Sequence, residues 1–329
     1  MTVATQVEIL DLRHFSARQL RPLLEEEARV WEERLRWDYR SSIELLLQYL
    51  DSRILPGFVA VDRGRVCGYT FCVHEGHKAV VGDAFAVDAD PERAMQVTHT
   101  LLRHLLEMLR HSPDVGRIES QMLLHEASAI RKVFREEGFR AYPRLFMECE
   151  LGGMEHVGGV GALMNDLSLV PWMGVDYQAS AELVHAAYAG HLDSEINDQY
   201  RTLHGSLRFL HNIVRFPGCG VFQPEQSWVL RERASGGLVG MVLCSKIAAD
   251  VAHITQLCVA KPYRGHGLGK MLLRHTAGKL AGAGYQAITL TVTEGNAAAV
   301  ALYALMGFSV RRRFEGMVLE TGRNGLALR

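Results

Sequence analysis

The chain has 329 residues, enough for about two domains at roughly 150 residues each. Hydrophobic residues make up 48% and charged residues 22%, which supplies a packed core and argues against a disordered chain. Thirty-six Lys and Arg stand against 37 Asp and Glu, so no global basic field is available for nucleic acid or an anionic membrane, and neither partner is expected.

From the start, Met1 to Leu12 shows no basic stretch leading into an apolar one, and no apolar run reaches about 18 residues, so a cytoplasmic location is expected. A possible helix cap at Ser16 precedes Leu20, Leu23, Leu24, Trp31 and Leu35, which recur at near-helical spacing. Gly57–Asp62 and Val66–Phe71 are expected as two strands joined by an Arg63-Gly64 turn. His74 and His77 have no Cys or acidic partners at metal-ligand spacing, and no metal is expected. Val87 to Pro91 then leads into a helical run ending at Leu101-Leu102-Arg103, and Gly138-Phe139 follows. The six cysteines form no C-x-x-C pair and read as small buried hydrophobes in a reducing compartment.

The second half repeats this order. Helical patterning at Leu183, Val184, Ala187 and Tyr188 follows Gln178. Strands at Ser227–Arg231 and Leu238–Leu243 turn at Gly236-Gly237, and Gly240 lies 172 residues after Gly68. Pro262 and Leu272 lie 171 residues after Pro91 and Leu101, and Gly307-Phe308 lies 169 after Gly138-Phe139. Three landmarks in one order at nearly one offset identify two copies of one fold. The expected division is a first domain at 1–151, a linker at 152–166 punctuated by Gly152, Gly153, Gly158, Gly159 and Gly161, and a second domain at 167–329. The element order implies an α/β class of fold, each copy a mixed sheet with helices on both faces.

Chemistry concentrates in the second copy. A strand, Ile254–Val259, runs through Ala260-Lys261-Pro262-Tyr263 into Arg264-Gly265-His266-Gly267-Leu268-Gly269-Lys270 and an amphipathic helix. Glycines allow close backbone approach, and a helix N-terminus favours an anion such as a phosphate. Gly269-Lys270 is followed by Met271 rather than Ser or Thr, and the spacing after Gly267 places Lys270 where a dinucleotide fingerprint needs glycine, so both better-known phosphate loops fit poorly. Downstream, the strand Ile288–Val292 leads to Asn296-x-x-Ala299-Val300-x-Leu302-Tyr303-x-x-x-Gly307-Phe308. Helix packing, with Gly307 as the cap, explains this segment alone. It does not explain the joint occurrence of both motifs.

Arg264-x-x-Gly267-x-Gly269 resembles the acyl-CoA loop of the GNAT (Gcn5-related N-acetyltransferase) superfamily, and the Asn296-to-Phe308 segment resembles its second motif. The resemblance spans roughly 170 residues. It implies two tandem domains with central, mostly antiparallel mixed sheets, and acetyl-CoA as co-substrate. Backbone N–H groups of Arg264, Gly265, His266, Gly267, Leu268, Gly269 and Lys270 would hold the pyrophosphate. Leu257 and Val259 would pair with the pantetheine arm, Asn296 would hydrogen-bond it, and Tyr303 would protonate the leaving thiolate. For the general base, His253 and Glu294 are the titratable candidates beside the acyl site, and a water relay leaves no sequence mark. The implied reaction is acetyl transfer to the primary amine of a small molecule, by a monomer or homodimer. Protein amino groups, and a non-enzymatic CoA-binding regulatory module, are the alternatives.

Carried back by the repeat offset, Arg264 maps to Arg93, Gly267 to Gln96, Gly269 to Thr98, Asn296 to Ala127 and Tyr303 to Phe134. The first copy is therefore expected to be degenerate and non-catalytic. Asp193, Glu195, Asp198 and Tyr200 lie where the resemblance places an acceptor site, with a solvated acidic loop as the plainer reading. Arg311-Arg312-Arg313 is expected as an exposed turn or edge strand, with contact to a CoA phosphate as the alternative.

Overall fold

A computed structural model of the chain describes residues 7–153 and 166–322. Gly158, Gly159 and Gly161, with most of the expected linker, lie outside the described residues. The chain divides into two compact units, one formed by Met1–Arg34, Tyr39–Pro143 and Arg313–Arg329, the other by Leu35–Asp38 and Arg144–Arg312. These units depart from the expected halves at 151 and 167, because three segments belong to the unit of the other half.

The first unit contains β1 (Glu8–Asp11), α1 (Ala17–Leu35), α2 (Arg40–Asp51), β2 (Gly57–Asp62), β3 (Arg65–Glu75), β4 (Lys78–Ala86), α3 (Pro91–His111), β5 (Arg117–Gln121) and α4 (Ala127–Glu136). Ser16 does stand at the start of α1, where its N–H donates to Gln19 Oε1 at 3.0 Å, one half of a capping box. Strands β1 to β4 pair antiparallel, and β4 pairs parallel with β5. The far edge of β5 pairs with Gly316–Glu320 of β13 (Ser309–Glu320), the last described strand of the chain.

The reciprocal exchange completes the second unit. It contains β7 (Leu167–Pro171), α5 (Tyr177–Tyr188), α6 (Asp193–Ile196), α7 (Leu203–Arg215), β8 (Val221–Phe222), β9 (Trp228–Glu232), β10 (Leu238–Lys246), β11 (Val251–Val259), α8 (Leu268–Gly282), β12 (Ala287–Thr293) and α9 (Ala297–Leu305). Its sheet runs β12-β11-β10-β9-β7, antiparallel except for β11 with β12. Arg144–Glu150 of β6 (Arg140–Glu150), a strand from the first half of the sequence, closes it by pairing with β12. On one face, Leu268, Leu272, Leu273, Ala277 and Leu280 of α8 pack on Ala252, Ile254, Leu290 and Val292. On the other, Ala181, Val184 and Ala187 of α5 and Leu210 of α7 cover Val229, Met241 and Cys258. Each unit is thus the expected mixed, mostly antiparallel sheet with helices.

The Gly-Phe landmark has the same physical cause in both units. Gly138 (φ 83°) and Gly307 (φ 90°) take the left-handed conformation after α4 and α9. The following N–H then reaches back, Phe139 to Phe134 O at 3.1 Å and Phe308 to Tyr303 O at 3.0 Å, closing the helix end. Phe134 and Tyr303 therefore occupy equivalent places in the two units. Arg311 and Arg312 are strand residues of β13 rather than a turn, and Arg311 pairs with Glu148. Among the described residues, no helix is long and apolar enough to cross a membrane.

Candidate functional site

The site begins with a defect in a parallel ladder. β11 pairs with β12 only from Val251 to Ile254, opposite Ala287 to Leu290. At the next residue the register to β10 shifts, from Cys244↔Ile254 to Leu243↔Gln256, so Thr255 is the extra residue of a bulge. Bulges bend the strand that carries them. Beyond it, β11 stays on β10 while β12 stays on β6, and a gap opens between them. Ala260 N–H donates to Val239 O at 2.8 Å. Backbone groups alternate along a strand, so Cys258 bonds β10 while the N–H groups of Leu257 and Val259 point into the gap.

The glycine loop follows at the mouth of this gap. Gly265 (φ 80°) and Gly267 (φ 79°) are both left-handed, and an added Cβ at either would meet nothing within 4 Å. Their requirement is conformational, and their open faces leave the backbone approachable. Gly267 caps α8, whose first internal bond is Met271 N–H to Gly267 O at 3.0 Å. The N–H groups of Leu268, Gly269 and Lys270 precede that bond and are directed outward from the helix end, an anion-binding arrangement. Arg264 does not share it. Its N–H donates to Lys261 O at 3.3 Å, and its guanidinium braces the loop to Val259 O at 3.0 Å and Ala187 O at 2.7 Å. Tyr263 OH to Glu232 at 2.8 Å and the buried Leu268 complete the anchoring.

Tyr303 of α9 is 8% exposed. Burial, and then the charge of Asp193, push its phenol well above the usual value. The phenol therefore keeps its proton at neutral pH. Asn296 accepts from Ala299 N–H at 3.3 Å as the N-cap of α9, and its amide nitrogen faces His191 Nε2 at 3.4 Å. Thr293 donates its hydroxyl to Asp193, whose carboxylate lies 3.5 Å from His191 Nδ1. Tyr188 and Tyr200 stack beside them with ring centroids 4.3 Å apart. Gln256 clamps both phenols, donating to Tyr188 at 3.0 Å and accepting from Tyr200 at 3.4 Å. Burial raises both phenols as well.

Of the two candidate bases, His253 is misplaced for the role. It is 5% exposed, with its ring against Trp37 and Phe146 and Nδ1 2.9 Å from the Thr289 hydroxyl. Burial, with Arg144 adding to it, lowers its pKa to about 3, so it stays neutral and away from solvent. Glu294 is exposed just past β12. Glu195 lies in an exposed pair with Arg201, whereas Asp193 turns inward. The residue sequence reasoning missed is His191. Its only local signal is the short His-x-Asp spacing, and Asn296 reaches it from 105 residues away. Among the described residues, no group of three or more His, Cys, Asp or Glu is placed to hold a metal ion.

The acetyltransferase (GNAT) family pattern matches residues 193–308, which include the bulged strand, the glycine loop, α9 and Tyr303. Residues 193–308 belong to the GNAT family. Among curated relatives, the ribosomal protein bS18-alanine N-acetyltransferase of Escherichia coli is 32% identical over 81 residues, 24% of this chain and 55% of that protein. The enzyme of that description from Salmonella typhimurium is 34% identical over 73 residues, 21% of this chain and 49% of its own. The chain thus spans about half the length of the curated relatives it matches. A GCN5-related N-acetyltransferase from Sphaerobacter thermophilus superposes with a TM-score of 0.64 at 18% identity, covering 96% of this chain and 95% of that one. A tandem GNAT protein from the clavulanic acid biosynthesis pathway gives 0.61 at 16% identity, covering 97% of this chain and 100% of its own. At these identities the likeness is one of fold, and it extends over both halves of the chain.

Proposed function

We propose that the second unit transfers an acetyl group from acetyl-CoA to the primary amine of a small molecule, at one site per chain. The observation that carries this is the gap at Leu257 and Val259 beside the glycine loop, with the buried phenol of Tyr303 on the neighbouring helix. The outward N–H groups of Leu268, Gly269 and Lys270, with the open backbone of Gly265 and Gly267 before them, fit a pyrophosphate, and the free edge of β11 fits an amide-bearing arm. An N–H on that edge also suits the oxyanion that develops on the thioester carbonyl.

The acceptor enters as an ammonium ion drawn to Asp193, and His191 beside it takes the proton. The amine nitrogen then forms a bond to the carbonyl carbon. The carbon–sulfur bond breaks with its electron pair on sulfur, and Tyr303 supplies the proton that makes the free thiol. The proton lost by the attacking nitrogen returns through water to the phenolate. A purely CoA-binding module has no need of a protonated phenol at this place. A protein amino group is the second reading, favoured by the protein acceptor named for the relative from Escherichia coli.

The first unit is proposed to be silent. Where the second unit has its glycine loop, α3 runs unbroken from Pro91, and the Asp90 carboxylate caps it by accepting from Glu92 N–H at 3.0 Å. An acidic cap repels the anion that the second unit's open helix end attracts. Arg93 is held by Asp62 at 2.8 Å, Thr98 is 2% exposed inside α3, and Phe134 has no proton to give.

The test is free-thiol release from acetyl-CoA over a panel of primary amines, with acetylated product confirmed by mass. Release with small amines supports the reading. Release only with peptides or proteins moves the acceptor to the second reading, and acetyl-CoA binding without release to any acceptor contradicts acetyl transfer.

A further inference from the structure

β12 carries three threonines on one face, Thr289, Thr291 and Thr293, while Leu290 and Val292 fill the core on the other. Each threonine meets a different polar side chain: His253 at Thr289, Arg144 at Thr291 and Asp193 at Thr293. The first is buried, but the other two side chains, with Tyr188 and Tyr200, remain partly open to solvent. Arg144 comes from β6, directly opposite Thr293 in the ladder, and its guanidinium leans along the strand to Thr291 Oγ1 at 3.5 Å. Both charges act on one phenol. Asp193 raises that of Tyr200 and Arg144 lowers it.

From this juxtaposition we infer that the acceptor pocket is bipolar and takes a zwitterion: an amino acid or short amino-carboxylate whose ammonium meets Asp193 and whose carboxylate meets Arg144. The inference rests on the acetyltransferase reading of the same site. Thr291 and Thr293 are about 7 Å apart along the strand. A molecule with one or two carbons between its charges is of the size to reach side chains anchored at neighbouring positions of one strand face, with a charge-assisted hydrogen bond of about 2.8 Å at each end. The stacked Tyr188 and Tyr200, held by Gln256, form a flat wall for its carbon skeleton. Arg144 would then be a specificity residue donated by the first half of the sequence to the site of the second unit.

The test uses the full chain, acetyl-CoA, and L-α-amino acids, each compared with its carboxamide and its decarboxylated amine, with thiol release as readout. Amino acids should show a KM at least tenfold below their carboxamides. Arg144→Gln should abolish that preference by raising KM for the acids far more than it lowers kcat, and Arg144→Lys should restore part of it. Equal KM for acids and amides, or an unchanged preference in Arg144→Gln, overturns the inference. No thiol release with any panel member, while calorimetry shows acetyl-CoA bound, overturns the zwitterion pocket and leaves the acetyl-CoA site standing. Absence of acetyl-CoA binding overturns the reading on which it rests.

Discussion

Replacing Gly267 with alanine separates conformation from space in the glycine loop. The φ of Gly267 is 79°, and a Cβ there meets nothing within 4 Å, so the methyl group causes no clash. What it costs is the left-handed backbone, about 1–2 kcal/mol for an L-residue. The loop is pinned on both sides, by Arg264 to Val259 and Ala187 and by Leu268 in the core, so the strain has little room to relax without turning the N–H groups. If all of it falls on the bound state, acetyl-CoA affinity drops about 5–30-fold. Gly267→Asn, which tolerates this conformation better, should lose less. Calorimetric titration of both variants reads the effect directly, with thermal unfolding as the control for folding. Alanine binding acetyl-CoA as tightly as glycine, or asparagine proving worse than alanine, would refute the conformational argument.

Three further outcomes follow from the same structure. Glu27, fully buried, lies against Asp83, and burial followed by the Asp83 charge raises its pKa well above normal, with Tyr69 donating to it at 2.7 Å. Its folded form holds a proton that the unfolded chain releases above about pH 4.3, so this contribution to stability is full below that pH and is lost as pH rises. Glu27→Gln should therefore melt higher than wild type at pH 8 and converge with it near pH 4, by roughly 2–4 °C per kcal/mol recovered; equal melting temperatures across the range would contradict the buried pair. His253 has the opposite sign: its pKa of about 3 is depressed, so its contribution is present above about pH 6.5 and is lost as pH falls toward 3. His253→Phe should flatten the acid side of the stability curve and keep turnover within about threefold, whereas a loss of a hundredfold would restore it as a base. Acetyl-CoA should bind with a stoichiometry of one per chain, and two equivalents would show that the first unit is not silent.

The glycine loop was legible because its cause is local. Left-handed residues must be glycine or nearly so, and Gly265 and Gly267 carry that need in the sequence itself. The Gly-Phe landmark was legible for the same reason. Strand exchange was not, because alternating apolar residues in β6 and β13 state that each is a strand and not which sheet it joins. Arg144 and Trp37 consequently lie beside residues more than a hundred positions away, and nothing near them in the sequence marks it. His253 was suspected because it is titratable and sits on the right strand. What disqualifies it is Trp37, brought from the other half of the chain to cover it. Asp193 was visible as one acid among several, and only Thr293 and His191 distinguish it from the surface pair of Glu195.

Tyr303 is proposed as the proton donor of an acetyl transfer at the gap between β11 and β12. Its most direct test is the rate of thiol release from acetyl-CoA, with an accepted amine, in wild type and Tyr303→Phe. General acid catalysis contributes about 100-fold or more. Turnover should fall by at least that factor while calorimetric affinity for acetyl-CoA changes less than about threefold. Equal turnover in the two proteins would show that Tyr303 is not the proton donor.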